Sequence, residues 1–240
     1  MQAGTENQFI VDTTVHQRPG DAACAIPRCE HVKERVGHLP AVFVAGAGYG
    51  SEESYACLEG EGVDAYVKHG EFFRECRNKK WREDEMRVAN WGYDEDSDEH
   101  ACPEGRALAF LGESTRVSDL GYRSTVRTYG CADCSGCARR ARCSKSADPD
   151  SPRQIQVNPT LSAFKSRASE MLRSEVGSAL RKRRSVDVET VFGDIKRNLG
   201  FTRFSLRGLE KATLEWRPVA TGHNIRKLFL AESRRAGASA

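Results

Sequence analysis

AVFVAGAGYGSEESYACLEGEGVDAYVK occupies residues 41–68. Residues 41–45 form a short apolar run bounded by glycine, the pattern of a buried strand. GAGYGS then turns the chain, and Ser51 stands where a helix N-cap belongs. A helix is expected over 52–59 and a second strand over 64–68, so this stretch predicts an α/β protein. The spacing Gly46-x-Gly48-x-Gly50 also invites comparison with a dinucleotide-binding loop, but Ser51 stands where the last glycine of that fingerprint would fall. A glycine-rich turn is the better reading.

Working outward, residues 7–17 are rich in β-branched side chains and read as a strand. Residues 18–21 (RPGD) read as a turn, and 22–36 as a helix with Pro27 near its start. From residue 70 to 152 the texture changes. Sustained periodicity is scarce, acidic and basic runs alternate, and cysteines cluster. This part reads as an insertion with its own small fold, with strands at 106–111 and 122–130. SADPDSP (146–152) would close it as a linker. A helical pattern resumes at 159 and runs with breaks to 233, with Pro218 expected to kink or split the last helix. The expected division is a first part of the core over 1–70, the insertion over 71–152, and a helical remainder of the core over 153–240.

The chain has 240 residues and a net charge of +3, but the charge is unevenly spread. Residues 151–240 hold 18 Lys+Arg against 8 Asp+Glu (+10), and the other 150 hold 19 against 26 (−7). A basic C-terminal segment is the footprint expected of a phosphate-backbone partner; a solvated helical surface is the alternative. No apolar run approaches the roughly 18 residues of a membrane span, and the start lacks the features of a secretion signal. A cytoplasmic location without membrane association is the expectation.

Within the basic segment, VETVFGDIKRNL (188–199) projects onto a helical wheel with Val188, Val191, Phe192, Ile195 and Leu199 in one apolar stripe. Glu189 and Lys196 fall together on one edge of it, two turns apart. Gly193 lies on the same side, where a close neighbour would explain a mid-helix glycine. This geometry suits a metal-coordinating carboxylate beside a phosphate-binding lysine; an amphipathic helix with ordinary flanking charges would look the same. Asp187 and Asp194 flank the other edge and read as solvated acids.

These residues carry a resemblance. VETVFGDIKRNLGFTRFSLRGLEK resembles the last catalytic segment of bacterial insertion-sequence transposases of the DDE type. ENQFIVDTTVHQRPGD, AGAGYGSEESYACLEGEGVDAYVK, ACPEGRAL, CADCSGCARRARC and ATGHNIRKL resemble successive segments of the same family, in order, from about residue 5 to 228. The resemblance implies an RNase H-like α/β fold, a mixed sheet with flanking helices, here incomplete at its N-terminus and interrupted by a small Cys-rich, zinc-ribbon-like insertion. It implies three carboxylates holding Mg²⁺ or Mn²⁺ for cleavage and joining of DNA strands. It further implies insertion-sequence ends as the DNA partner and a homodimer in an intact relative.

By this resemblance Glu189 is the third acid, Lys196 contacts DNA near the cleaved phosphate, and Arg184 is the arginine that precedes the acid. Arg181 stands where relatives often carry a tyrosine. The second acid belongs where this chain has Gly46, and glycine offers no side-chain oxygen. The first acid is expected upstream of residue 1. One acid of three is therefore expected, and with it a truncated, catalytically inactive transposase; a DNA-binding surface of the basic segment would include Arg181, Lys182, Arg183, Arg184, Arg203 and Arg207. Rescue by Asp12, Glu52 or Glu53 is the less favoured alternative. A non-catalytic, zinc-containing DNA-binding module is the second reading.

Cys131, Cys134, Cys137 and Cys143 give C-x2-C-x2-C-x5-C, a thiolate spacing compatible with structural zinc, and Cys102 is a fifth candidate. The resemblance implies the set Cys102, Cys134, Cys137 and Cys143, with Cys131 as the alternative ligand. An iron–sulfur cluster is a rival, although the last spacing and Ser144 depart from its usual run. YDEDSDEH (93–100) has half the pattern of a calcium loop and reads as a solvated acidic loop. His16, His69, His100 and His223 show no paired spacing that marks a site.

Overall fold

A computed structural model describes residues 1–146, 148 and 151–238. The linker expected at 146–152 therefore lies partly outside the described residues. The chain opens with an antiparallel hairpin of β1 (Gln2–Glu6) and β2 (Phe9–Thr14). Asn7 and Gln8 both take positive φ, +52° and +64°, the backbone that a tight two-residue hairpin turn requires. The expected strand at 7–17 is thus shorter, and the run before it is a strand of its own. Helix α1 (Ala25–Val36) follows a 3-10 turn and accommodates Pro27 in its first turn, where no intrahelical N–H is needed. It ends at Gly37, whose φ of +87° gives a left-handed cap.

The opening stretch folds as read. β3 (Val42–Ala45) pairs in parallel with β4 (Asp64–Val67), and α2 (Glu52–Gly60) is the crossover between them. Ser51 caps α2 by accepting the Ser54 backbone N–H at 3.2 Å. Tyr55, Leu58, Val63 and Val67 form a core with Phe164 and Ala168 of α6 (Pro159–Arg173), and the Tyr55 and Phe164 rings stack at 5.6 Å.

The short helices α3 (Phe72–Arg77) and α4 (Lys79–Arg82) lead to an antiparallel meander. Its strands are β5 (Gly92–Asp94), β6 (Glu99–Ala101), β7 (Ala107–Val117), β8 (Arg123–Cys131) and β9 (Gln154–Val157). The turn of helix α5 (Arg140–Cys143) lies between the last two strands. Trp91, Leu108, Tyr129, Cys131 and Ile155 build a separate core under this sheet. β9 lies beyond the expected limit at residue 152, because the sheet needs it to cover the β8 edge. The acidic loop is not simply solvated: Asp98, at φ +54°, accepts hydrogen bonds from Tyr93, Tyr129 and Arg127.

After α6 come α7 (Glu175–Arg184), a π-helical turn (Ser185–Glu189), α8 (Thr190–Arg197) and α9 (Leu209–Ala238). Of the kink or split expected at Pro218, the split does not occur: α9 is one helix through it. Packing against β2 and α8 holds it together: Trp216 and Ala220 are buried with Ile10, Val191 and Ile195. Asn224 supports the same contact by bonding both backbone groups of Ile10 at 2.8 Å. No helix among the described residues is long and apolar enough to cross a membrane.

Candidate functional site

Gly46 lies one residue past β3, at the C-terminal end of the parallel pair. Its φ of −76° and ψ of 174° are extended backbone that any residue adopts. A Cβ built there would meet only the Arg184 guanidinium, at 3.5 Å, an ordinary contact. Neither conformation nor space requires glycine at this position. Gly50 differs: its Cβ would lie 2.3 Å from the Lys68 carbonyl oxygen, so close approach of the loop to β4 demands glycine there.

The register Ala45↔Val67 makes Gly46 and Lys68 the next neighbours across the two strands, and the Lys68 N–H donates to the Ala45 carbonyl at 3.3 Å. The Lys68 ammonium sits 4.5 Å from the Phe73 ring centre. Burial first, and then the charges of Arg184 and Arg181, push the Lys68 pKa down, while Glu189 pulls it up. Lys68, Arg181, Arg184 and Glu189 therefore share one electrostatic neighbourhood beside Gly46. Sequence reasoning missed Lys68; its position directly after the second strand of the β-α-β unit was the available signal.

Glu189 closes the π-helical turn and is exposed. The wheel assumed unbroken α-helix from 188. The wider turn shifts the phase before Thr190, yet Val191 and Ile195 are fully buried as the stripe requires; Leu199, past the end of α8, is exposed instead. π-turns inside α-helices frequently mark functional positions. Gly193 has nothing within 4 Å of a would-be Cβ, so no protein neighbour explains it. Lys196, Arg203 and Arg207 are exposed, and no ion pair within 4 Å engages them among the described residues. Asp194 is not a solvated acid. It binds His223 at 2.8 Å, Asn198 at 2.6 Å and Arg226 at 3.2 Å. Burial alone would raise its pKa, but the bonds from Asn198 and His223 and the Arg226 charge hold it low. Asp187 likewise pairs with Arg183 at 3.3 Å.

The residues beside Gly46 do not fit a pair of divalent cations. Oxygen-rich ligand sets hold Mg²⁺ and Mn²⁺, whereas Lys68 here feels Glu189 against Arg184, Arg181 and Arg77, and the Asp21 carboxylate stands further along the loop, at Gly48. The alternative acids are engaged elsewhere. Glu52, buried, accepts from Tyr122 at 3.1 Å and Asn158 at 2.5 Å. Glu53 accepts from Ser118 at 3.1 Å, and Asp12 faces Arg28 and His31.

The cysteines lie in and around the core of the meander, where Cys131 is buried and Cys102, Cys134 and Cys143 pack against the same cluster. The Arg153 N–H points at the Cys134 sulfur at 3.3 Å, and the Cys131 thiol donates to the Asp133 carbonyl at 3.0 Å. Burial, and then the neighbouring thiols Cys102, Cys134 and Cys137, raise the Cys143 pKa, with Arg153 opposing them. Among the described residues, only His69, Glu71 and Glu75 bring three ligand atoms within 4.8 Å of one another. No three of the described cysteines meet that spacing. The His69 group also escaped sequence reasoning, although His-x-Glu-x3-Glu was visible. Its carboxylates already carry counter-charges: Lys165 on Glu71 at 3.4 Å and Arg173 on Glu75 at 3.3 Å.

A family model described as "Transposase DDE domain" matches residues 101–229, more than half of the chain. The chain belongs to this transposase family. The matched part contains Cys102, the cysteine cluster, Arg184, Glu189 and Lys196; Gly46 and Lys68 precede it. No curated protein and no solved structure matches the chain.

Proposed function

We propose that this member of a DNA-transposing, divalent-metal-using family binds DNA without cutting it. The observation that carries the reading is the composition of the site at Gly46: one carboxylate, Glu189, where metal-ion catalysis of phosphodiester attack needs several oxygen ligands. Lys196, Arg203 and Arg207 would meet the backbone of insertion-sequence DNA, and Gly193 leaves room for a strand to approach α8. A cytoplasmic location goes with such a partner, and a homodimer with an intact relative.

The test is incubation of the purified chain with supercoiled plasmid and Mg²⁺ or Mn²⁺, alongside a salt titration of duplex binding. No nicked or joined product is expected. Binding should fall with a log–log salt slope of about −0.9 for each phosphate neutralised. Metal-dependent nicking that disappears in Glu189→Ala would overturn the reading.

A structural zinc in the insertion is a second reading, favoured by the packing of Cys102, Cys134 and Cys143, three of the four expected ligands, about the core that holds Cys131, and by the Arg153 N–H on Cys134. Cys102, Cys134, Cys137 and Cys143 would hold it, with Cys131 as the alternative. Zinc would close this part of the chain and take no part in chemistry at Gly46. Purified protein is expected to carry zinc without visible absorbance, to lose thermal stability on chelation, and to lose its metal in Cys134→Ser. Metal-free protein whose melting ignores chelators would end this reading.

A further inference from the structure

We infer that Lys68, Arg181 and Arg184, gathered at the C-terminal ends of β3 and β4, form an anion site that takes a phosphate group where the family holds divalent cations. The inference rests on the DNA-binding reading for its natural ligand, a phosphate of the DNA backbone. The site itself stands on separate geometry.

Three observations converge. First, Arg183 and Arg173 nearby are engaged by acids, whereas these three are not. Arg183 is held by Glu6 at 2.6 Å and Asp187 at 3.3 Å, and Arg173 by Glu75 at 3.3 Å. No carboxylate lies within 4 Å of Lys68, Arg181 or Arg184 among the described residues. All three are nonetheless half-buried, where unpaired charge is costly unless a counter-ion arrives. Second, the cations are placed rather than loose. Arg181 donates to the Leu172 carbonyl at 3.1 Å and lies over Phe72, 5.3 Å from its centre. Lys68 is steadied by Phe73, and Arg184 rests on Gly46. Third, Gly46 leaves open the space that an aspartate would fill, although a side chain would fit there. An aspartate would have neutralised Arg184. Without it Lys68, Arg181 and Arg184, with Arg77 over the same Phe73 ring as Lys68, stand against Glu189, a balance that attracts an anion and repels Mg²⁺.

The full chain is tested with two probes in EDTA, inorganic pyrophosphate and a labelled random-sequence duplex. Lys68→Gln, Arg184→Gln and Gly46→Asp are compared with the parent, each checked by far-UV circular dichroism. Pyrophosphate is expected to raise the melting temperature of the parent and to leave all three variants nearly unmoved. The duplex salt slope should shrink by about 0.9 in Lys68→Gln and in Arg184→Gln. A pyrophosphate shift confined to the parent, with no duplex binding, would keep the anion site and remove DNA as its ligand. Duplex binding with unchanged slopes, and a pyrophosphate response equal in all four proteins, would overturn the anion site while leaving DNA binding in place. No pyrophosphate response in any of the four would overturn it as well.

Discussion

Replacing Asp12 with alanine is expected to destabilise the chain by about 3–5 kcal/mol, the cost of leaving one partner of a buried ion pair alone. Asp12 lies on β2 with its side chain 2% exposed, and Arg28 of α1, 7% exposed, approaches it at 3.6 Å. His31 completes the contact at 2.7 Å. The guanidinium has little room to escape to water: a Cβ on Gly4 would stand 2.6 Å from its Nη2. That same Nη2 finds no hydrogen-bond partner within reach. Removing the carboxylate therefore leaves a cation in a dry site that cannot open without parting α1 from the hairpin. Urea unfolding followed by circular dichroism measures the loss. The double variant Asp12→Ala/Arg28→Met should recover much of it, since the stranded charge is then gone. A loss under about 1 kcal/mol in the single variant would show that water reaches Arg28. The experiment also separates a structural Asp12 from a catalytic one, because an acid kept for metal binding tends to stabilise the apo-protein when removed.

Trp216→Ala is the second large effect, at about 3–5 kcal/mol from lost burial and the cavity left behind. Trp216 is fully buried on α9, with Phe192 stacked at 6.4 Å and Phe201 at 6.0 Å. Val191 and Ile195 share this core, so the helix that follows Glu189 is held in place by the indole. The Nε1–H has no partner. Trp216→Phe should therefore cost far less than alanine, because it removes an unsatisfied donor along with some area. Hydrogen exchange over 190–204 is expected to quicken in Trp216→Ala well beyond any change in the 41–68 unit. Uniform quickening in both would mean that the two cores unfold together.

The 41–68 unit was legible because its signals are local. A short apolar run, a glycine turn, a serine cap and a second run need no distant partner to be read. The apolar stripe over Val191 and Ile195 was legible for the same reason. The π-helical turn at Glu189 was not, since a single widened turn changes no residue pattern. α9 stays one helix through Pro218 rather than splitting there, since packing on β2 and α8 supports both halves. The acids Asp98, Asp187 and Asp194 look like surface charges in the sequence and are bound in the structure, their partners lying in other elements or on the next turn.

By itself the sequence determined which groups are on hand: a glycine after the first apolar strand, Glu189 on an amphipathic stretch, a basic C-terminal third and a run of cysteines, along with the family to which they belong. Only the tertiary structure decided which charges meet. Lys68 and Arg184 are 116 positions apart, and the parallel register of β3 with β4 and the seat of α7 on those strands bring them to the same glycine. Coulomb interactions act through space and fade over about 8–10 Å at ordinary salt, so the sign of the site depends on chain crossings that no local pattern records.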